Sequence, residues 1–242
     1  MLAIISGSGV LPLFADAVPL EVPPLRFGAP SGQPRQAEVD GRPLLVLPRH
    51  GVPHHVAPHR INYRANIELL AQLGATRIVA LTTVGGITPE AAVGRIVVPQ
   101  QLIDYTWGRA HTFIEEDAVS HADFADPFDE RLRAILLRAG RLAQVDLHDG
   151  GVYGCTQGPR FETAAEIERM ARDGCTLVGM TGMPEAGLAR EQTLPYAMLS
   201  LVVNPAAGRA RDPFDLTAIG RVMTAGMRSV EAVLRQAVSL GL

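Results

Sequence analysis

The chain has 242 residues, 47% of them hydrophobic and 19% charged, and this length fits one large α/β domain over residues 1–242 better than two small ones. A net charge of −3 and a pI near 6.2 argue against nucleic acid or an anionic membrane surface as the partner. The two cysteines, Cys155 and Cys175, lack metal-ligand spacing and favour buried side chains in a reducing compartment. No segment is apolar enough to span a membrane, so we expect a cytoplasmic protein.

Segments typical of buried strands alternate with amphipathic helical segments along the chain. Strands are predicted within residues 2–6, 43–51, 76–87, 94–106, 144–161, 175–181 and 194–204. Helices are predicted within 59–75, over 126–143 and 163–174, from Pro184 onwards, and after Asp215 as N-cap. This alternation predicts an α/β fold with a mixed, mostly parallel central sheet and helices around it. The strands are short and numerous enough to allow partial closure into a distorted barrel.

The segment GCTQGPRFETAAEIERM begins one of these helices. Thr163 and Glu166 have the spacing of a capping box, in which each side chain bonds a backbone N–H of the first turn. An aromatic residue and an acid, Phe161 and Glu162, directly precede the cap. The ring could pack on the core, or it could stack on a flat ligand whose polar edge Glu162 reaches. Position alone does not separate these two interpretations.

Polar residues gather where the predicted strands end, which is where open α/β sheets bind ligands. The set combines hydroxyls, an arginine and a histidine: Ser8, Arg49, His50, Thr83, Met180 with Thr181, and Asn204. Such residues can hold a phosphate without a metal ion. Each one alone could instead be a turn hydroxyl or a surface ion-pair partner. Their joint placement favours an anion site.

Several known motifs are missing from the sequence. A dinucleotide fingerprint would need a glycine where Pro12 stands, and there is no Walker, Gly-x-Ser-x-Gly or zinc-deaminase motif. The histidine-rich segment HGVPHHVAPHR could be imagined as a zinc site. It contains two prolines, and no cysteine or carboxylate supports it, so we predict no metal.

Six segments, in order, resemble the trimeric nucleoside phosphorylases, the family of purine nucleoside phosphorylase and methylthioadenosine phosphorylase. They are GSG, PRHG with HRINYRAN, LTTVGGI, QGPRFET, GMTGMPEAGLARE and the strand that ends at Asn204. Within the family, HADFADPFDE and LVVNPAAG are most similar to the bacterial methylthioinosine phosphorylase branch.

The resemblance implies an α/β sandwich around a distorted barrel, assembled as a homotrimer or a dimer of trimers. The implied reaction is phosphorolysis of a purine nucleoside, with inorganic phosphate as co-substrate and no other cofactor. Ser8, Arg49, His50, Thr83 and Thr181 would hold phosphate with the backbone of Val84. Met180 would lie against the ribose, and Phe161, Glu162, Asn204, Pro205 and Ala206 would meet the purine. His121 would reach a neighbouring subunit's site, and Asn204 and His50 are the predicted catalytic residues.

Two positions bear on the substrate. Members of the family that take 6-aminopurines place an Asp at the position of Asn204 and another at that of Ala206, whereas Glu162 matches the 6-oxopurine members. We therefore expect a hypoxanthine base. Leu216 lies near the position of a histidine that binds a 5′-hydroxyl, so it favours a methylthio group, although it could equally be a core residue. Methylthioadenosine, inosine or guanosine phosphorylase remain alternatives, as does a non-catalytic purine- or phosphate-binding module.

Overall fold

The computed structural model of the chain describes residues 1–7, 14–115, 120–210 and 215–242. Its strands are β1 (Leu2–Ser6), β2 (Val18–Pro19), β3 (Arg35–Val39), β4 (Arg42–Pro48), β5 (Arg77–Gly86), β6 (Ile96–Val98), β7 (Gln101–Asp104), β8 (Leu147–Asp149), β9 (Val152–Cys155), β10 (Leu177–Gly179) and β11 (Tyr196–Pro205). Its helices are α1 (Tyr63–Gln72), α2 (Glu130–Leu142), α3 (Ala164–Arg172), α4 (Gly182–Glu191) and α5 (Leu216–Ser239). The predicted α/β fold with a mixed, mostly parallel sheet is confirmed.

The sheet branches at β5, its long central strand. One path runs β2-β3-β4-β1-β5-β10-β9-β7, and a second leaves β5 through β11 to β6 and β8. The strands β4, β1, β5 and β11 are parallel, whereas β10 and β6 join antiparallel to β5 and β11. The two branches therefore leave β5 on opposite sides, one through β10 and the other through β11.

Two pairs of strands carry the chain from one branch to the other. The sequence predicts one strand over 94–106 and another over 144–161, but the structure bends each of them into two, β6 with β7 and β8 with β9. The first bend contains Pro99, which has no N–H for a ladder, and the second contains Gly150 and Gly151, both at positive φ. These bends complete the ring of a distorted barrel.

Helices cover both faces of the sheet. On one face α2 and α5 pack on alternate residues of β1, β5 and β11, and on the other face α1 and α4 pack on the residues between them. A smaller cluster beneath α3 includes Met170 and Cys175. Cys155 and Cys175 are both buried and unpaired with each other, as the sequence predicts.

A split opens in the sheet beside β5. The strand β1 pairs with β5 only as far as Ala80, and β10 takes over that side only at Gly85. The intervening edge of β5 therefore presents main-chain groups and side chains to other parts of the molecule. One of its carbonyls, Leu81 O, accepts a hydrogen bond from the guanidinium of Arg49 at 3.0 Å.

Candidate active site

A cavity of about 420 Å³ lies at this split. It brings together residues from strands, loops and helices that are far apart in sequence. The predicted site residues that line it are Arg49, His50, Thr83, Val84, Phe161, Glu162, Met180, Thr181, Asn204, Ala206 and Leu216. Pro205 and His121 do not line it, and Ser8 lies outside the described residues. The geometry unites the set, while the role of each residue remains a prediction.

Arg49 follows β4 directly and is buried, with 1% of its surface exposed. Its Nε and Nη2 donate to the two carboxylate oxygens of Glu185 at 2.6 and 2.8 Å. Burial alone would lower the pKa of Arg49, but the attraction of Glu185 outweighs it and raises this pKa above its ordinary value. Arg49 is therefore a permanent cation at the wall of the cavity.

His50 is nearly buried beside Arg49, and its ring stacks on His54 with centroids 4.2 Å apart. Nδ1 lies 2.8 Å from Val56 O, and because a carbonyl only accepts, Nδ1 carries the proton. Burial first, and then the charge of Arg49, lower the pKa of His50 to about 4. At neutral pH the ring is thus uncharged, and its Nε2 is an acceptor.

The prediction that Thr83 stands at a strand end is wrong, because β5 continues to Gly86. Thr83 nevertheless borders the cavity, since among the described residues no strand pairs with this part of β5 on that side. Asn204 fits its prediction, because β11 ends one residue later, at Pro205. Thr181 fits the prediction, because it follows β10 and directly precedes α4. Its backbone N–H lies 3.4 Å from the hydroxyl of Tyr153.

Pro184 was predicted to open the next helix. The structure begins α4 at Gly182, but Met183 has non-helical dihedral angles, so regular helical geometry starts at Pro184. The kink lies next to Thr181 at the cavity wall. The prediction is therefore right for the regular part of the helix.

The loop before α3 forms another wall of the cavity. Thr163 and Glu166 make the predicted capping box, and Arg160 binds both oxygens of Glu166 at 2.7 and 2.8 Å. The Phe161 ring is 53% exposed and borders the cavity, so the alternative of a ring packed into the core is wrong. The neighbouring carboxylate of Glu162 accepts a hydrogen bond from the Thr156 hydroxyl at 2.6 Å, which fixes one of its oxygens.

A β-bulge positions Asn204. Along β11 and β5, Val202 pairs with Val84 and Asn204 pairs with Gly85, so Val203 is an extra residue. Bulges of this kind redirect the side chains that follow them. Among the described residues, the side chain of Asn204 bonds only Pro205 O, at 2.7 Å, through one of the two N–H groups of its amide.

An apolar face of α5 closes the remaining side. Leu216, Ile219, Gly220 and Met223 have helical spacing and line the cavity together. Leu216 is 70% exposed, so the alternative that it is a core residue is wrong. Asp215 caps this helix as predicted, accepting from the N–H of Thr217 at 2.8 Å.

Sequence patterns did not reveal several residues that hold this site. Glu185 lies within the segment GMTGMPEAGLARE, and a carboxylate among apolar helix residues is the signal that could have identified it. Thr156 and Arg109 were also missed. Arg109 is buried and donates to the carbonyls of Thr156 and Gln157 at 3.2 and 2.8 Å, which secures the loop that carries Glu162.

Within the described ranges, no group of three or more His, Cys, Asp or Glu side chains is arranged to hold a metal ion. Within the same ranges, no helix has the length and apolar character needed to cross a membrane.

Comparisons with known proteins agree with this geometry. Residues 2–239 match the Phosphorylase superfamily, and the chain belongs to this family. The resemblance and the predicted enzyme class, a pentosyltransferase of the purine nucleoside phosphorylase type, are thereby confirmed.

Two named proteins and one solved structure are similar to this chain over most of its length. A Pseudomonas syringae pv. tomato protein named "Probable S-methyl-5'-thioinosine phosphorylase" is 47% identical over 98% of both chains. A Xylella fastidiosa protein of the same name is 54% identical over 86% of this chain and 85% of its own. A solved structure of methylthioadenosine phosphorylase from Schistosoma mansoni in complex with adenine has 30% identity and a TM-score of 0.91. That match covers 99% of this chain and 91% of the other.

Proposed function

We propose that the protein catalyses phosphorolysis of S-methyl-5'-thioinosine to hypoxanthine and 5-methylthioribose 1-phosphate. The observation that carries this proposal is the single cavity between the cation Arg49, the polar pair Glu162 and Asn204, and the apolar face of α5. A nucleoside of this kind has three matching parts, namely a sugar attacked by phosphate, a keto-purine and an apolar 5′ substituent.

The reaction cleaves a glycosidic bond through an oxocarbenium-like state. The sugar becomes cationic, and phosphate held by Arg49 and its neighbours stabilises the cation and then bonds to the anomeric carbon. The bonding electrons leave with the purine, so a donor at the purine N7 stabilises the departing base, which overall gains the proton that hydrogen phosphate loses on forming the ester. Asn204 is the candidate donor, since it still has an N–H after bonding Pro205 O. Preorganised donors of this kind are worth about 3 kcal/mol each in the transition state.

Two groups at the base end favour a 6-oxopurine over a 6-aminopurine. The ring nitrogen N1 of hypoxanthine carries a proton, and Glu162 offers a carboxylate oxygen beyond the one that accepts from Thr156. The Asn204 amide combines a donor with an acceptor, whereas a carboxylate at this position would repel O6. Buried polar groups that lose their partners can produce about 10⁴-fold discrimination. Methylthioadenosine phosphorolysis is the competing function, and the Schistosoma structure bears that name.

The apolar face of α5 supports a methylthio group over a 5′-hydroxyl. Leu216, Ile219 and Met223 offer no hydrogen-bonding partner of the kind a hydroxyl needs, so a hydroxyl placed there would lose its bonds to water. A sulfur-linked methyl group has no such requirement. Inosine and guanosine are therefore expected to be poorer substrates.

The proposal also covers the oligomeric state of the protein, its cellular compartment and its co-substrate. We expect a homotrimer or a dimer of trimers in the cytoplasm, with phosphate as co-substrate and no other cofactor. His121 is exposed and away from its own chain's cavity, which is compatible with a role in a neighbouring subunit's site. Analytical ultracentrifugation would measure the assembly state.

One experiment tests the function. The protein is incubated with phosphate and, separately, with methylthioinosine, methylthioadenosine, inosine or guanosine, and the free base is measured. We expect fastest release of hypoxanthine from methylthioinosine, and none without phosphate. Faster release of adenine from methylthioadenosine would overturn the proposed substrate. Saturable binding with no release of base would indicate a non-catalytic binding module.

A further inference from the structure

Glu185 is a fully buried carboxylate that the proposed chemistry does not use. It lies on α4 and does not itself line the cavity. Its oxygens accept hydrogen bonds from Arg49 Nε at 2.6 Å, from Arg49 Nη2 at 2.8 Å and from the Tyr196 hydroxyl at 2.8 Å. Burial first, and then the charge of Glu185, raise the pKa of Tyr196, so its hydroxyl remains a protonated donor.

Net stabilisation of the fold is a weak explanation for this pair. Removing two charges from water is costly, and well-packed apolar residues often replace a buried ion pair without loss of stability. The pair does have a geometric effect on Arg49. A guanidinium has five N–H groups, and the described contacts use two for Glu185 and one for Leu81 O. One N–H therefore remains on each terminal nitrogen.

Contacts confine Arg49 on several sides. Glu185 holds one edge of the guanidinium and Leu81 O holds Nη1, while the missing side chain of Gly7 leaves space beside the same nitrogen. A Cβ at Gly7 would stand 3.2 Å from Nη1 and 2.8 Å from Leu81 O, so only glycine leaves the guanidinium undisturbed. The plane of the guanidinium is therefore fixed before any ligand arrives.

We propose that Glu185 is a positioning residue, which orients Arg49 so that its two remaining N–H groups meet a phosphate oxygen pair in the cavity. Tyr196 acts on Arg49 indirectly, because its hydroxyl donates a hydrogen bond to the carboxylate of Glu185 and so fixes that carboxylate. The inference rests on the proposed phosphate-dependent function. A role in charge balance alone would act in the opposite direction, since removing the carboxylate would then leave a stronger cation and tighter phosphate binding.

The variant Glu185→Gln keeps the shape of the side chain but turns an N–H of its amide toward an N–H of Arg49. We expect the phosphate KM to rise about 10-fold or more, the effect of losing an aligned charge-assisted hydrogen bond, while the nucleoside KM changes less than about 2-fold. Asp146→Asn is the matched control, because it neutralises the acid of an exposed ion pair with Arg95 at 2.9 Å. The control should leave both KM values unchanged.

Inorganic phosphate alone provides a second readout. Phosphate that binds the folded state raises the melting temperature, and the phosphate concentration needed for a given rise should be about 10-fold higher in Glu185→Gln. This measurement needs no turnover. If the wild-type protein released no base, the proposed function would fail, while weaker protection of the variant would still support the role of Glu185.

An unchanged or lower phosphate KM in folded Glu185→Gln would overturn the proposal, and so would an equal effect of Asp146→Asn. If Glu185→Gln does not fold, Tyr196→Phe replaces it, since that change removes one hydroxyl and no charge. We expect its phosphate KM to rise about 3-fold with the nucleoside KM unchanged. A folded Tyr196→Phe variant with wild-type phosphate protection would then overturn the proposal.

Discussion

Asn204 pairs with Gly85 across the two central strands, one residue out of the register in which Val202 pairs with Val84. The bulge at Val203 takes up the difference and carries the amide to the cavity wall. Gly85 has no side chain there, and a Cβ would lie 3.1 Å from Val178 Cγ1 and 3.3 Å from Ala206 Cα. The position of the amide therefore depends on both strands.

Replacing Asn204 with Ala should remove the donor to the departing purine. We expect kcat to fall about 100-fold or more, as for loss of one preorganised donor, with little change in the phosphate KM. Steady-state kinetics with methylthioinosine measure both constants. Near-normal turnover of this variant would show that Asn204 does not stabilise the leaving base.

Thr156→Val should weaken recognition of the base. The change keeps the shape of the side chain but removes the hydroxyl that donates to Glu162 at 2.6 Å. Because hydrogen bonds to charged groups contribute about 1.5–3 kcal/mol, we expect the nucleoside KM to rise about 10-fold, with the phosphate KM unchanged. Equal rises in both constants would mean that the loop had moved as a whole.

Leu216→Gln should reduce the preference for a methylthio group. The ratio of kcat/KM for methylthioinosine to that for inosine is expected to fall about 10-fold, because an apolar contact is exchanged for a polar one. Leu142→Gln is the matched control, since Leu142 is also an exposed leucine, at 54%, and lies on α2 away from the cavity. If the two variants had the same ratio of kcat/KM values, Leu216 would not contact the 5′ group of the substrate.

Thr163→Ala should destabilise the start of α3. Loss of the N-cap hydroxyl costs about 1 kcal/mol of unfolding free energy, measured by urea denaturation. In Thr224→Ala, the hydroxyl removed bonds Gly220 O within a helix and has no capping role, so the change should stay within about 0.5 kcal/mol. Equal costs for the two variants would contradict a capping role.

His50 should make stability depend on pH in the absence of phosphate. Its folded pKa of about 4 lies below the ordinary value of 6.5, so between these values the unfolded chain binds more protons. The unfolding free energy attributable to His50 should therefore be nearly constant above about pH 7.5 and fall by about 2 kcal/mol by pH 5. His50→Asn should lose this slope, and His59→Asn, at an exposed position, should keep it. Parallel slopes in the wild type and His50→Asn would contradict the assignment.

Local chemistry made parts of the site predictable from sequence. The capping box at Thr163 and the Asp215 cap depend on neighbours within three residues, so their spacing sufficed. Arg49 and Thr181 were found because they follow strands whose apolar runs are clear. These features need no knowledge of which strands become neighbours.

Long-range pairing determined what could not be predicted. The bulge at Val203 exists only in the register between β11 and β5, and Glu185 meets Arg49 across 136 residues of sequence. The sequence predicts that the strand ends at Thr83, whereas β5 continues to Gly86. Thr83 borders the cavity because β1 stops at Ala80 and β10 starts at Gly85, and these limits depend on long-range strand pairing. The bends at Pro99 and at Gly150 had local cues, but continuous apolar runs on either side concealed them.

Phe161 and Leu216 expose 53% and 70% of their surfaces while bordering the cavity. These two side chains keep hydration water over an apolar area that a nucleoside would cover. Association should accordingly lower the heat capacity of the system. Calorimetric titration at several temperatures would show the binding enthalpy becoming more negative on warming, because the nucleoside covers the apolar surfaces of these two side chains.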